Sequence, residues 1–285
     1  MEFRIAAVVI TYNRLELLKQ IINSIKEQTH KPDDIIVVNN SSNDGTSEWL
    51  ESQTGLTVLT QPNIGSSGGQ YTGIKYAYDN GYDWIWVMDD DVLPNKNCLE
   101  KLIENAEPDN ILAPLRYNSD GTVFFNEAVS YNLKNPFKSF WNEIISEKHL
   151  SNKFILVEGL TFEGPIFHRS LIDKIGLPEK NFFIFGDDTE FFIRAKQAGF
   201  KSLINTSARL NRLIPYVSPA TQFSWKNYFV IRNLIAIDVL HGNIFVRLIR
   251  PFRYLLVWLF RCKSIKDIKT VFKAFWNGYF YQHSD

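Results

Sequence analysis

The first hundred residues alternate runs rich in apolar and β-branched residues with segments of helical periodicity, an order that few folds accept. Short strands separated by helices make βαβ units, hence a mainly parallel sheet covered by helices. Strands are predicted near Phe3 to Ile10, Asp34 to Asn39, Leu56 to Thr60 and Trp84 to Met88. Between them Leu15, Leu18, Ile21, Ile22 and Ile25 recur at helical spacing, and Ser67 to Tyr78 carries a second helix with Tyr71, Ile74 and Ala77 on one face. Right-handed crossovers gather the carboxyl ends of such strands on one edge, where open α/β sheets bind ligands. The expected class is α/β, with a Rossmann-like sheet flanked by helices.

That edge is polar. Strand one runs into Thr11-Tyr12-Asn13-Arg14 and strand two into Asn39-Asn40-Ser41-Ser42-Asn43-Asp44-Gly45-Thr46. Such side chains can hydrogen-bond a base and ribose, although Asn, Ser and Asp-Gly also suit turns and helix caps for local reasons. Asn63-Ile64-Gly65-Ser66-Ser67-Gly68-Gly69 opens the second helix. Its glycines would let a ligand approach the backbone, and free N–H groups at a helix start favour anions. It is neither a dinucleotide fingerprint nor a Walker loop. The fourth strand ends in Asp89-Asp90-Asp91. Adjacent acids there suit a hard cation such as Mg2+ or Mn2+, or simply a solvated turn. A second acid pair, Asp187-Asp188, stands with Glu190 and Arg194 at the head of a helix predicted over Thr189 to Ala198. One of the two could cap the helix while the other takes a proton from a sugar hydroxyl.

The remainder is less regular. Residues 118 to 154 read as a variable insert with a hairpin at Asp120-Gly121, placed to shape an acceptor site. Helical spacing returns from Trp225 to Leu240 and from Phe245 to Tyr281. With 31 basic and 31 acidic residues no global field points to nucleic acid. From Ile244 onward, however, Arg247, Arg250, Arg253, Arg261, Lys263, Lys266, Lys269 and Lys273 face only Asp267 and Asp285, about +6 by that count. A basic, aromatic helix of this kind can lie in an anionic interface, or the tail can be a helical pair packed on the catalytic domain or on a second subunit. The chain thus divides into a domain over residues 1–240 and a helical tail over 241–285.

No stretch reaches the roughly 20 apolar residues of a membrane span, and the opening residues read as a first strand rather than a signal peptide. Cys98 and Cys262 suggest neither a disulfide framework nor a zinc site, which fits a reducing cytoplasm. The histidines, His30, His149, His168, His241 and His283, are scattered and expected to be packing or surface residues rather than ligands.

Taken in order, Thr-Tyr-Asn-Arg, Asn-Asn-Ser-x-x-Asp-Gly-Thr, Asn-x-Gly, Asp-Asp-Asp and Phe-x-x-Gly-Asp-Asp-x-Glu-x-x-x-Arg are far more specific together than singly. The set resembles glycosyltransferase family 2, inverting enzymes of GT-A fold, over roughly residues 3 to 240. The resemblance implies that Asp89 and Asp91 bind Mn2+ or Mg2+ and the donor diphosphate, with Asp90 near the donor sugar or ribose. It implies Asp188 as catalytic base, with Asp187 and Glu190 toward the acceptor. Thr11, Tyr12, Arg14, Asn39, Asn40, Asn63 and Gly65 match donor-binding positions. Relatives often carry an acid where this chain has Asn39, and a metal-contacting His where it reads Ala208-Arg209-Leu210-Asn211-Arg212. Either Asn211 substitutes or the metal has fewer protein ligands.

Within the family, the Asp-Asp-Asp block and Trp225-Lys226-Asn227-Tyr228-Phe229-x-x-Arg232-Asn233 look like the galactofuranosyltransferase and rhamnosyltransferase branch. The implied reaction moves a hexose, with UDP-galactofuranose the leading donor and dTDP-rhamnose the alternative. The acceptor would be a glycan or lipid-linked glycan of a cell-surface polysaccharide such as O-antigen or capsule. The enzyme would be a homo-oligomer or monomer, peripheral at the inner membrane face. Two other classes fit less well. A haloacid dehalogenase phosphatase places its acids at the first strand, and a nucleotidyltransferase wants a basic Gly-rich loop there. A non-catalytic nucleotide-sugar or glycan-binding module is the non-enzyme alternative.

Overall fold

Alternation along β1 (Ile5–Thr11) decides which layer each residue joins. Ile5, Ala7 and Val9 enter one apolar cluster, and Ala6, Val8 and Ile10 enter another on the opposite face. A strand buried on both faces needs helices on both sides, and the computed structural model, which describes residues 3–216 and 223–283, supplies them. The first cluster packs on α1 (Leu15–Lys26), whose Leu18, Ile21, Ile22 and Ile25 are fully buried. Each such side chain contributes about 1.5–3 kcal/mol relative to exposure.

The chain continues through β2 (Asp34–Asn39), α2 (Thr46–Glu51), β3 (Thr57–Thr60), α3 (Gly65–Asp79) and β4 (Trp84–Asp89). These strands pair in parallel in the order β3-β2-β1-β4. Their carboxyl ends therefore share one edge. The predicted strands and helices all appear here within two residues of their expected ends.

Beyond β4 the sheet becomes mixed. The next elements are β5 (Val92–Pro94), α4 (Cys98–Ile103), β6 (Asn110–Tyr117), β7 (Ala128–Tyr131), β8 (Trp141–Ile144), β9 (Phe154–Val157) and β10 (Ile166–His168). They are followed by α5 (Ser170–Ile175), α6 (Asp187–Gln197) and β11 (Lys201–Arg212). The full order is β3-β2-β1-β4-β10-β6-β11-β5, with β9 also on β11. Antiparallel β10 sits between β4 and β6, while β6 and β11 run parallel. Helices α5 and α6 cover the face that α3 begins, through Leu171, Phe191, Phe192 and Ala195. Within the irregular insert a tight turn does form at Asp120-Gly121, where Asn118 N–H donates to Thr122 O at 2.8 Å, and β7 and β8 make a separate small sheet.

Three helices close the chain: α7 (Lys226–His241), α8 (Ile244–Leu259) and α9 (Ile265–Tyr279). The helical spacing over Phe245 to Tyr281 resolves into a helical pair, because Ser264 and Asp267 form a capping box that starts a second helix. Ile231 and Ile235 of α7, Trp258 of α8 and Val271 and Ala274 of α9 share one core. The expected boundary after residue 240 thus falls inside a packed three-helix unit.

Candidate active site

The strand-end acids are held by the loop after β1. Thr11 Oγ1 donates to Asp90 Oδ2 at 2.7 Å, and Arg14 Nη1 donates to Asp90 Oδ1 at 2.9 Å and Asp91 Oδ2 at 3.0 Å. Asp89 accepts from Gln70 Nε2 of α3 at 3.2 Å. Burial raises the Asp90 carboxyl to about 6 against the pull of Arg14 and Thr11. Burial, then the charges of Asp91 and Glu163, pushes Asp89 well above the carboxylate range, and burial also raises Asp91. Acids that repel one another this way call for a cation. The donor set of Asp89 and Asp91 is all carboxylate oxygen, the chemistry that suits Mg2+ or Mn2+.

The second acid pair arrives on a strained turn. Phe183 and Phe185 have φ of 65° and 66°, and Gly186 follows at 84°. Buried Asn233 on α7 holds this turn, its Nδ2 donating to the carbonyls of Phe182, Ile184 and Phe185 at 3.0, 2.9 and 2.6 Å. The turn also packs on the start of α3: Ser67 N–H donates to Phe183 O at 3.2 Å, and a Cβ on Gly65 would lie 2.0 Å from that oxygen. Asp187 is buried, and burial together with Asp188 raises it to about 7. Burial raises Asp188 to about 6, opposed by the N–H and hydroxyl of Thr189 and by Arg116.

Glu163 is near enough to both acid clusters for its charge to raise Asp89, Asp91 and Asp188. It is bound by Arg116 Nη1 at 2.5 Å and Arg212 Nε at 3.2 Å, and Arg116 also grips Glu127 at 2.5 Å. The sequence singles out none of Arg116, Glu127 and Glu163, each a lone charge in an apolar or irregular stretch, and Arg212 enters it only as the neighbour of Asn211.

Several expected residues also make contacts within the fold. Asn39 folds its own loop, accepting from Ser42 N–H at 2.9 Å and donating to Ser47 at 3.0 Å. Asn40 joins Gly65 O at 3.1 Å and Gln61 at 2.8 Å, and Asn63 Oδ1 accepts from Gly65 N–H at 3.0 Å. Tyr12 stands exposed at the rim. The glycine run also serves helix packing, since a Cβ on Gly69 would lie 2.4 Å from the Ile10 side chain. Asn211 is bound by Arg209 at 3.0 Å and to Asn95 at 2.8 Å, and its neighbour Arg212 is the residue that reaches the acids. Glu190 is fully buried and bound to Arg194 at 2.8 Å and His241 at 3.0 Å, with His283 at 3.4 Å. The histidines are therefore not all separate, because folding brings the end of α7 and the C-terminus onto α6. Glu190, His241 and His283 present metal-type atoms within 4.8 Å of one another, but Arg194 already neutralises the same carboxylate.

This arrangement of strand-end and helix-start acids has relatives. Residues 6–176 match the family model described as Glycosyl transferase family 2. The chain belongs to that family. Galactofuranosyltransferase GlfT1 of Mycolicibacterium smegmatis (strain ATCC 700084 / mc(2)155) is 29% identical over 205 residues, covering 68% of this chain and 66% of that protein. GlfT1 of Mycobacterium tuberculosis (strain ATCC 25618 / H37Rv) is 29% identical over 203 residues, covering 68% and 64%. The match thus spans slightly under two thirds of these relatives. Among solved structures, GalNAc-T7 with UDP, GalNAc and Mn2+ superposes with a TM-score of 0.60 at 15% identity, covering 93% of this chain and 55% of that one. S. aureus TarS with UDP-GlcNAc gives 0.60 at 15% identity, covering 95% and 79%. At such identity the likeness concerns the fold, and this family member has the GT-A fold with a helical C-terminal region.

Proposed function

We propose that the chain transfers a hexose from a UDP-sugar to a glycan or lipid-linked glycan, inverting the anomeric centre in one displacement. The observation that carries this reading is that the buried strand-end acids Asp89–Asp91 and the helix-start pair Asp187–Asp188 are near enough to act on one another, Asp187 raising Asp89 and Glu163 raising both Asp89 and Asp188. Asp188 takes the proton of the acceptor hydroxyl as its oxygen attacks the anomeric carbon, and the bond to the nucleoside diphosphate breaks on the opposite side. Arg14 can turn from Asp90 and Asp91 to a donor phosphate, since its side chain is 43% exposed. A divalent cation held by Asp89 and Asp91, Mn2+ or Mg2+, would neutralise charge on the departing diphosphate. UDP and Mn2+ in the GalNAc-T7 structure support a metal and a uridine donor. Similarity to GlfT1 supports galactofuranose as the sugar and a cell-surface polysaccharide as the destination. We place the protein at the inner face of a membrane.

Asp188→Asn tests the central assignment. Transfer should fall by about 10^2 to 10^4, while UDP binding in the presence of Mn2+, read by calorimetry, persists. Asp91→Ala should instead weaken that binding. Full transfer by Asp188→Asn would remove the base.

A further inference from the structure

The last two helices turn far more apolar surface outward than their own packing requires. On α8, Leu248, Phe252 and Leu256 are 52%, 47% and 57% exposed; on α9, Ile268, Phe272 and Trp276 are 39%, 50% and 63% exposed. Each trio recurs every fourth residue, so each forms a stripe along one side of its helix. The opposite sides are already used, Val246 and Trp258 of α8 and Val271 and Ala274 of α9 being buried. The α8 stripe reaches α9 at the seam between the helices, where the Phe252 ring lies 5.2 Å from Phe275 and 5.8 Å from Tyr279.

The charges around these stripes that no acid neutralises are positive. Arg247, Lys266, Lys269 and Lys273 are exposed, as is Arg253, which also donates to the Pro136 carbonyl, whereas buried Arg250 is paired with Asp238 at 3.1 Å. Asp267, the single acid among the described residues from Ile244 onward, is spent on the start of α9, accepting from Lys263 N–H at 3.0 Å and Ser264 N–H at 3.1 Å. Self-pairing of two copies across a two-fold axis would bring like charges together, while lipid phosphates would meet them with the opposite sign. At 16 and 15 residues the helices are suited to lying in an interface, and no helix of the described residues is long and apolar enough to cross a membrane.

We propose that the α8–α9 pair is the docking surface for an anionic lipid bilayer, its apolar stripes at headgroup depth and its Lys and Arg residues on lipid phosphate. The inference rests on the membrane placement proposed above and names the surface responsible. It also ties that surface to the site. Helix α7, on which both helices pack, holds the turn before Asp187 through Asn233, so a docked pair fixes the base wall of the cleft relative to the bilayer.

The test is co-sedimentation of the full chain with vesicles of phosphatidylcholine alone or mixed with phosphatidylglycerol. Binding is expected to the mixed vesicles and to weaken with salt. It should fall by about tenfold or more in Leu256→Asp/Trp276→Asp and in Lys266→Gln/Lys269→Gln/Lys273→Gln. All the substituted side chains are exposed, and an unchanged far-UV spectrum and Tm would verify the fold. Equal binding by wild type and both variants overturns the surface while leaving the membrane placement intact. Failure of wild type to bind either vesicle overturns both. Concentration-dependent self-association that the Leu256→Asp/Trp276→Asp variant abolishes, without vesicle binding, assigns the face to a second copy and overturns the proposal.

Discussion

On the strand-end wall of the cleft the acids are met by Arg14, whose side chain remains 43% exposed; on the helix-start wall they are met through Arg116, which is 2% exposed. Arg14 leaves a loop and touches Asp90 and Asp91 by one nitrogen. Arg116 leaves a central strand and is fixed between Glu127 and Glu163. Exposed ion pairs contribute about 0–1 kcal/mol, whereas removing one partner of a buried pair costs about 3–5 kcal/mol because the other charge is left stranded. One wall is thus built to exchange its counter-ion for a ligand, and the other to keep it.

The largest effect should follow from Arg116→Met. It leaves Glu127 and Glu163 buried without their cation, and urea unfolding should show a loss of about 3–5 kcal/mol. Arg14→Ala should cost less by the same measurement, because its own side chain is 43% exposed, yet weaken UDP binding. Equal stability losses in the two variants would erase the distinction between the walls.

A pH series sharpens the same contrast. Buried Asp188 holds its proton up to about 6 and Asp187 up to about 7, against an ordinary value of 3.8. Folded pKa values above the unfolded ones mean that the native state binds more protons between them. The contribution of this pair to stability is therefore greatest below about pH 4 and declines as pH rises to about 6 to 7. The transfer rate should move the other way, rising as Asp188 ionises near 6. Tm against pH without metal or donor, compared between wild type and Asp188→Asn, reads the first effect. A slope that Asp188→Asn leaves unchanged would show that this carboxyl does not set it.

The difference between the walls also explains what could be read from the sequence. Asp89, Asp90 and Asp91 are contiguous and follow an apolar strand, so chain order alone brought them to the sheet edge. Asp187 and Asp188 mark a helix start for the same local reason. Arg116 and Glu163 meet across 47 residues, through the parallel pairing of β6 with β11 and the antiparallel return of β10. No local pattern encodes that meeting. The glycines after Asn63 are visible but ambiguous, since close approach to a ligand and close approach of Gly69 to Ile10 ask for the same missing side chain. The break between α8 and α9 was legible in Ser264-x-x-Asp267, a capping box inside what periodicity alone had joined.

The smallest effect concerns the contact that closes the chain onto the base wall. His283 places Nδ1 3.2 Å from Glu179 and Nε2 3.4 Å from Glu190, but its side chain is 41% exposed, whereas that of His241 is 7% exposed and 3.0 Å from Glu190. Glu190 already has Arg194 as a buried partner. Removing an exposed imidazole should therefore cost His283→Ala no more than about 1 kcal/mol, with His241→Ala costing more because it empties a buried position. Both are measured by urea unfolding. A His283→Ala loss as large as that of Arg116→Met would mean that the C-terminus is a fixed part of the base wall, and that partial exposure had misjudged which cations this wall depends on.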